Sequence, residues 1–288
     1  MAITDLLRRC VGWAAHSDAH RTSPADTNTP ILIGGFYRSG TTLLRRLLDA
    51  HPAVHCPPEL KFMRDVLGEY SDDPYGYLRF FNACRVLPLE DSERLAVWGR
   101  AYAELRTRAA ERLGKQRWAD KDPENARYLP HWEQALGTRF VYVHLIRDPL
   151  DTLASVREMG FEKSLPPALS EQVARWRANS EAALQFFARA PERGYCLSYE
   201  SLVEQPQTTL GRLLDWLALE DDGTLARGLN DPARGRGLED PKIDQTSGIH
   251  SESLGRGARE FDPESRVFIR REVDELYRAL SAFAATRP

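Results

Sequence analysis

ILIGGFYRSGTTLLRRLLDAHP, residues 31–52, decides how this chain is read. Ile31 to Ile33 are β-formers, and Gly34 and Gly35 are expected to end the strand they make. Leu43, Leu44, Leu47 and Leu48 recur at helical spacing, so an amphipathic helix follows. Strand, glycine-bearing loop and helix form a βα unit whose helix N-terminus offers backbone N–H groups and a favourable dipole to an anion. Gly35 and Gly40 occupy the two glycine positions of G-x-x-x-x-G-K-[ST], and Thr42 fills the last. Thr41 stands where the lysine would be. A triphosphate site uses that lysine together with Mg²⁺, so its loss points to a ligand with a shorter or less charged tail. Ser39, Thr41 and Thr42 add hydroxyl donors, and Arg38 adds a permanent positive charge.

Outward from this unit the same alternation continues. AVHCPPE (53–59) reads as a short strand with a proline-forced exit, and residues 90–113 have helical period. RFVYVHLI (139–146) is a nearly continuous apolar run, the mark of a strand buried on both faces. RDPLDTLASV then opens a helix, residues 168–189 are helical, YCLSYE (195–200) is a short strand, and 207–219 and 267–283 are helices. The expected fold class is α/β, a P-loop-like doubly wound parallel sheet flanked by helices. Residues 220–260 are rich in Gly, Asp, Arg and Ser without periodicity, the character of a functional loop. Residues 1–29 are expected to be an N-terminal helix and linker, and 30–288 a single domain.

Composition narrows the class. The chain has 288 residues, 42% hydrophobic and 28% charged, which is globular. A net charge of −3 argues against nucleic acid as a partner, so any basic site is local. No apolar run approaches the ~18 residues of a membrane span, and the first residues lack signal-peptide character, so a cytoplasmic location is expected. Cys10, Cys56, Cys84 and Cys196 lie far apart with no C-x-x-C pair, the pattern of reduced structural thiols. No histidine has metal-ligand spacing, and no metal is expected.

With these motifs in hand, GGFYRSGTTLLRRLLDAHP resembles the 5′-phosphosulfate loop of sulfotransferases that use 3′-phosphoadenosine 5′-phosphosulfate (PAPS), nearest to the tyrosylprotein sulfotransferases and their bacterial relatives. Those carry P-R-S-G-T-T followed by L-D-A-H-P; here Tyr37 replaces the proline. The resemblance implies a PAPS donor, adenosine 3′,5′-bisphosphate as product, and no metal. It also supplies an answer to the missing lysine, because this donor has no γ-phosphate. HLIRDPLDTLASV (144–156) resembles the family's 3′-phosphate motif, with Arg147 at a strand end and Ser155 eight residues later. An arginine there can fork onto a phosphate. Asp148 with Pro149 also has the look of a helix cap, and in a kinase Asp148 would be a magnesium ligand. The family's further arginine, about one turn after the serine, falls on Met159, leaving Arg157 as its neighbouring replacement. YESLVEQP (199–206) resembles Y-E-x-L-x-x-x-P, in which Tyr199 would contact the nucleotide. Lys242, Arg256 and Gly257 lie in the segment that the resemblance folds over the adenine and 3′-phosphate.

The chemistry implied is sulfuryl transfer, which needs a base for the acceptor hydroxyl and cations on the leaving phosphate. Glu59 lies twenty-one residues after Arg38, the offset of the family's catalytic glutamate, though a glutamate after two prolines also suits a helix start. Lys121 matches the lysine of the family's N-K-D-P element and would act with Arg38 on the leaving group. His55 and His250 are alternative or assisting bases; His51 and His144 read as structural. Trp118, Trp132, Phe62 and Tyr70 belong either to the core or to an acceptor pocket. The expected acceptor is a small-molecule hydroxyl (a phenol, alcohol or sugar), with a protein or peptide tyrosine as the alternative. From other classes stand a P-loop small-molecule kinase, disfavoured by the missing lysine, and a non-catalytic nucleotide-binding protein, disfavoured by Glu59 and Lys121. Oligomeric state is not legible.

Overall fold

The computed structural model describes residues 28–68, 79–160, 165–220 and 251–286. Lys242, His250, Tyr70 and the expected N-terminal helix fall outside them. The chain runs β1 (Ile31–Gly35), α1 (Thr41–Ala50), β2 (Val54–His55), α2 (Phe62–Leu67), α3 (Arg79–Ala83), α4 (Asp91–Arg112), β3 (Arg117–Lys121) and α5 (Asn125–Leu136). It continues through β4 (Val141–Ile146), α6 (Pro149–Met159), α7 (Leu169–Arg189), β5 (Gly194–Ser198), α8 (Tyr199–Glu204), α9 (Pro206–Leu217), α10 (Gly257–Glu260) and α11 (Pro263–Ala285).

The five strands form one parallel sheet in the order β2-β3-β1-β4-β5. β1 is central, between β3 and β4; the chain builds β2 and β3 on one side of it before crossing to β4 and β5 on the other. That arrangement opens a crevice at the carboxyl end of β1, where ligands of such sheets bind. The register of β1 on β4 pairs Ile31 with Val141 and Gly35 with Leu145.

Alternation along the strands divides the core between two faces. Ile31, Ile33, Val141, Val143 and Leu145 pack with Leu44, Leu47 and Leu48 of α1 and with the leucines of α9. Leu32, Tyr142 and Ile146 face the other way, against α5, α7 and α11 through Trp132, Trp176, Phe187 and Phe283. Each fully buried large apolar side chain contributes about 1.5–3 kcal/mol. Trp118, Trp132 and Phe62 belong to this second cluster, so core packing is their role here.

Three expectations change. β1 does not stop at Ile33; it continues through both glycines, because Gly34 and Gly35 pair with His144 and Leu145. The space a side chain on Gly34 would need is filled by the Tyr142 ring. β5 ends at Ser198, not at residue 200, because the Ser198 hydroxyl accepts from the Ser201 backbone N–H at 3.3 Å and starts α8 at Tyr199. β3 and α5 were not expected at all. β3, RWADK, carries buried charges at both ends and lacks an apolar signature. Arg117 satisfies its guanidinium on the carbonyls of Thr29 and Leu217, the second at 2.8 Å.

Candidate active site

The loop after β1 is shaped by two left-handed residues, Arg38 (φ 66°) and Gly40 (φ 94°). Glycine is required at position 40, since a Cβ there would lie 2.5 Å from the Tyr199 ring. Arg38 holds a conformation that costs a non-glycine residue about 1–2 kcal/mol. Such strain persists where surrounding structure fixes it, and it clusters at ligand sites. α1 starts directly after the loop with no side-chain cap and no acidic residue in its first turn. Its first N–H groups therefore remain available to an anion.

On the β4 side, Arg147 ends the strand and is buried. Its guanidinium donates to the Arg38 carbonyl at 3.0 Å and to the Ser253 carbonyl at 2.9 Å. It lies 4.5 Å from the centroid of the Tyr199 ring. Its Nε is buried and makes no hydrogen bond among the described residues. Burial lowers the Arg147 pKa, and Tyr199 and Asp151 offset part of that. Ser155, on α6, accepts from Arg38 Nε at 3.0 Å, so the residues expected at the two phosphates meet directly. Tyr199 reaches Ser253 Oγ at 3.0 Å. Asp148 caps α6, accepting from the N–H groups of Leu150 (2.8 Å) and Asp151 (3.2 Å), and pairs with Arg270 at 2.7 Å.

On the β3 side, Lys121 ends its strand with its side chain fully buried. Nζ donates to Thr42 Oγ1 at 3.1 Å and to the Glu59 carboxylate. Lys61 stands 3.7 Å from the second Glu59 oxygen. Glu59, Lys121 and Thr42 thus meet at the crevice from the segment after β2, from β3 and from the start of α1, while Arg38 of the same loop turns its side chain to Ser155. His55 faces Asp49 at 3.5 Å. His51 accepts from the Ala53 N–H at 3.0 Å and reaches the Glu220 carbonyl at 2.8 Å, a structural assignment.

Arg256 and Arg157 are engaged elsewhere. Arg256 forks onto Glu260 (2.6 Å) and pairs with Glu158 (2.9 Å). Arg157 stacks 5.1 Å from the Phe261 ring. Gly257 lies against the Leu150 backbone.

Several partners escaped sequence reasoning. Tyr37, where the family has proline, donates to Glu124 at 3.1 Å and accepts from Arg64, which also pairs with Glu124. Arg64 stands 3.6 Å from Asp122 as well. Burial pushes the Asp122 carboxyl up to about 6, with Arg64 opposing and the Glu59 charge adding to the rise. Asp151 and Ser253 also went unseen; the departure at Tyr37 was the one available signal, and it pointed only to the first cluster.

A sulfotransferase-family model matches residues 30–223. A Caenorhabditis briggsae relative bearing a provisional protein-tyrosine sulfotransferase name is 27% identical over 198 residues, covering 66% of this chain and 65% of the relative. The chain thus spans just under two thirds of that relative's length. The sulfotransferase domain of the Synechococcus PCC 7002 olefin synthase shares the fold with a TM-score of 0.68 at 22% identity, covering 91% of this chain and 98% of that one. A sulfotransferase domain from the curacin biosynthetic pathway does so at 0.62 and 21% identity, over 86% and 97%. With well over half of its length matched by the family model, the chain belongs to the sulfotransferase family.

Proposed function

We propose that the chain is a PAPS-dependent sulfotransferase that moves a sulfuryl group to the hydroxyl of a small-molecule acceptor. The carrying observation is the placement of the Lys121 ammonium between Thr42 of the donor loop and the Glu59 carboxylate. One cation touches both the loop that would hold a phosphate and the group that would take a proton.

The residues present fit the donor. The uncapped α1 N-terminus with Ser39, Thr41 and Thr42 suits its 5′-phosphate. The unpartnered Nε of buried Arg147, with Ser155 nearby, suits its 3′-phosphate, and Tyr199 offers a ring to the nucleoside. Bound PAPS supplies an activated sulfuryl group on a phosphate oxygen. Glu59 accepts the proton of the acceptor hydroxyl as the new sulfur–oxygen bond forms. Lys121 and Arg38 stabilise the negative charge left on the phosphate as the old bond breaks. Lys121 and Lys61 hold the Glu59 carboxylate in place at the crevice. Because Glu59 is mostly buried, the acceptor must present its hydroxyl on a slender group.

A second reading, a peptide tyrosine as acceptor, is favoured by the name of the Caenorhabditis briggsae relative. Calorimetry with adenosine 3′,5′-bisphosphate, and then with ATP and Mg²⁺, tests the donor; preference for ATP would overturn the proposal in favour of a kinase. Sulfuryl transfer to a panel of phenols, alcohols, sugars and a tyrosyl peptide tests the acceptor. Turnover of the peptide alone would give the second reading.

A further inference from the structure

The backbone N–H groups of Gly255 and Gly257 are held by one buried side chain. Asp151, in the first turn of α6, accepts from the Gly255 N–H at 2.8 Å with one carboxylate oxygen and from the Gly257 N–H at 2.8 Å with the other. The side chain is buried and sits in the first turn of the helix. Charge-assisted bonds of this kind are about twice as strong as neutral ones.

The sequence between the two bonds is built for this contact. Gly255 is left-handed (φ 70°), which turns its N–H inward. Gly257 sits so close to α6 that a Cβ would lie 2.2 Å from the Leu150 carbonyl carbon. Arg256, between them, points away to Glu158 and Glu260. The Gly-Arg-Gly run therefore presents alternate backbone donors to Asp151. Two residues before it, the Ser253 carbonyl receives the Arg147 guanidinium and the Ser253 hydroxyl meets Tyr199.

We infer that Asp151 is a positioning residue for the donor site: it latches residues 253–257 across Arg147 and Tyr199, and its hold limits how fast the nucleotide leaves. The consequence for nucleotide exchange rests on the proposed donor site; the latch itself does not. Without Asp151, Ser253 loses its fixed place on Arg147, and the arginine loses the carbonyl that orients its fork.

Asp151→Asn keeps the size and one acceptor oxygen but sets an NH₂ against a backbone N–H. Hydrogen exchange should show the Gly255 and Gly257 amides opening at least ~10-fold faster in the variant. Stopped-flow should show adenosine 3′,5′-bisphosphate dissociating ~10–100-fold faster, with the acceptor KM little changed. Leu280→Ala, in the core of α11, serves as the control: it should lower Tm without moving either readout. Unchanged exchange at both glycine amides in Asp151→Asn would overturn the latch. Faster exchange with unchanged dissociation would overturn its role in nucleotide release. Failure of the wild type to bind the bisphosphate would instead strike the donor reading, while the exchange result still decides the latch. Should Asp151→Asn not fold, Asp151→Ser carries the same two measurements.

Discussion

The two flanks of β1 hold their charges in opposite ways. On the β4 flank, Arg147 is buried with its hydrogen bonds directed to carbonyl oxygens, and one nitrogen is left over. On the β3 flank three buried cations near the crevice and the core touch carboxylates: Lys121 meets Glu59, Arg64 meets Glu124, and Arg106 stands 3.5 Å from Asp120. A carbonyl orients a guanidinium without cancelling it, so the first flank keeps positive charge for an anion. The second flank directs its cations onto carboxylates. The first suits the binding proposed above, the second the proposed proton transfer, and they meet at the loop after β1.

Breaking the β3 flank should have the largest effect. Glu59→Gln is expected to lower kcat by about 10²–10⁴-fold, the typical worth of a general base, while bisphosphate affinity by calorimetry changes little. Retained turnover would remove Glu59 as the base and blur the distinction between the flanks. Lys121→Ala should cost roughly 10²–10³-fold in kcat, as the loss of a leaving-group donor does, read in single-turnover assays. The β4 flank should respond in binding instead. Arg147→Ala should weaken adenosine 3′,5′-bisphosphate by about 10–100-fold, the loss of one charge-assisted contact, and leave adenosine 5′-monophosphate almost untouched. Equal losses for both nucleotides would sink the 3′-phosphate assignment.

The smallest effect concerns stability on the β4 flank. His144 is buried beneath Tyr142, 2.6 Å from its hydroxyl, and burial lowers its pKa from 6.5 to about 3. The folded state therefore resists a proton that the unfolded chain accepts. Its contribution is complete above about pH 6.5 and is lost as pH falls toward 3. The urea midpoint should drop between pH 7 and pH 5, and His144→Gln should flatten that drop; identical slopes would assign the acid sensitivity to other groups.

The flanks also differed in what the sequence disclosed. The loop after β1, β4 and the placing of Arg147 at a strand end and Ser155 on the next helix were legible because the signals are contiguous: a strand end, small residues and a helix start. The long helices followed from periodicity, as α4 and α7 show. β3 was not legible, because Arg117 and Lys121 are buried through partners from distant parts of the chain. The same holds for Asp151, which accepts from donors more than a hundred residues away in sequence. Arg256 was singled out by its flanking glycines as a phosphate contact; in the structure it pairs with Glu158 and Glu260, and the glycines bond to Asp151. No local pattern distinguishes Tyr37 as a hydrogen-bonding residue from Tyr37 as a core residue; only Arg64 and Glu124 decide it.

The sheet order has a consequence for how such a chain can diversify. Because β1 lies between β3 and β4, the segment after β2 that bears Glu59 reaches the crevice from the opposite side to Arg147, Ser155 and Tyr199. Residues 60–68 are nevertheless tied to the centre of the sheet, because Arg64 holds Tyr37 of the loop after β1 and Glu124, and Phe62 stacks on Tyr102. A lineage that changes this segment must therefore change Tyr37 and Glu124 with it, so the two sides of the crevice evolve as a unit.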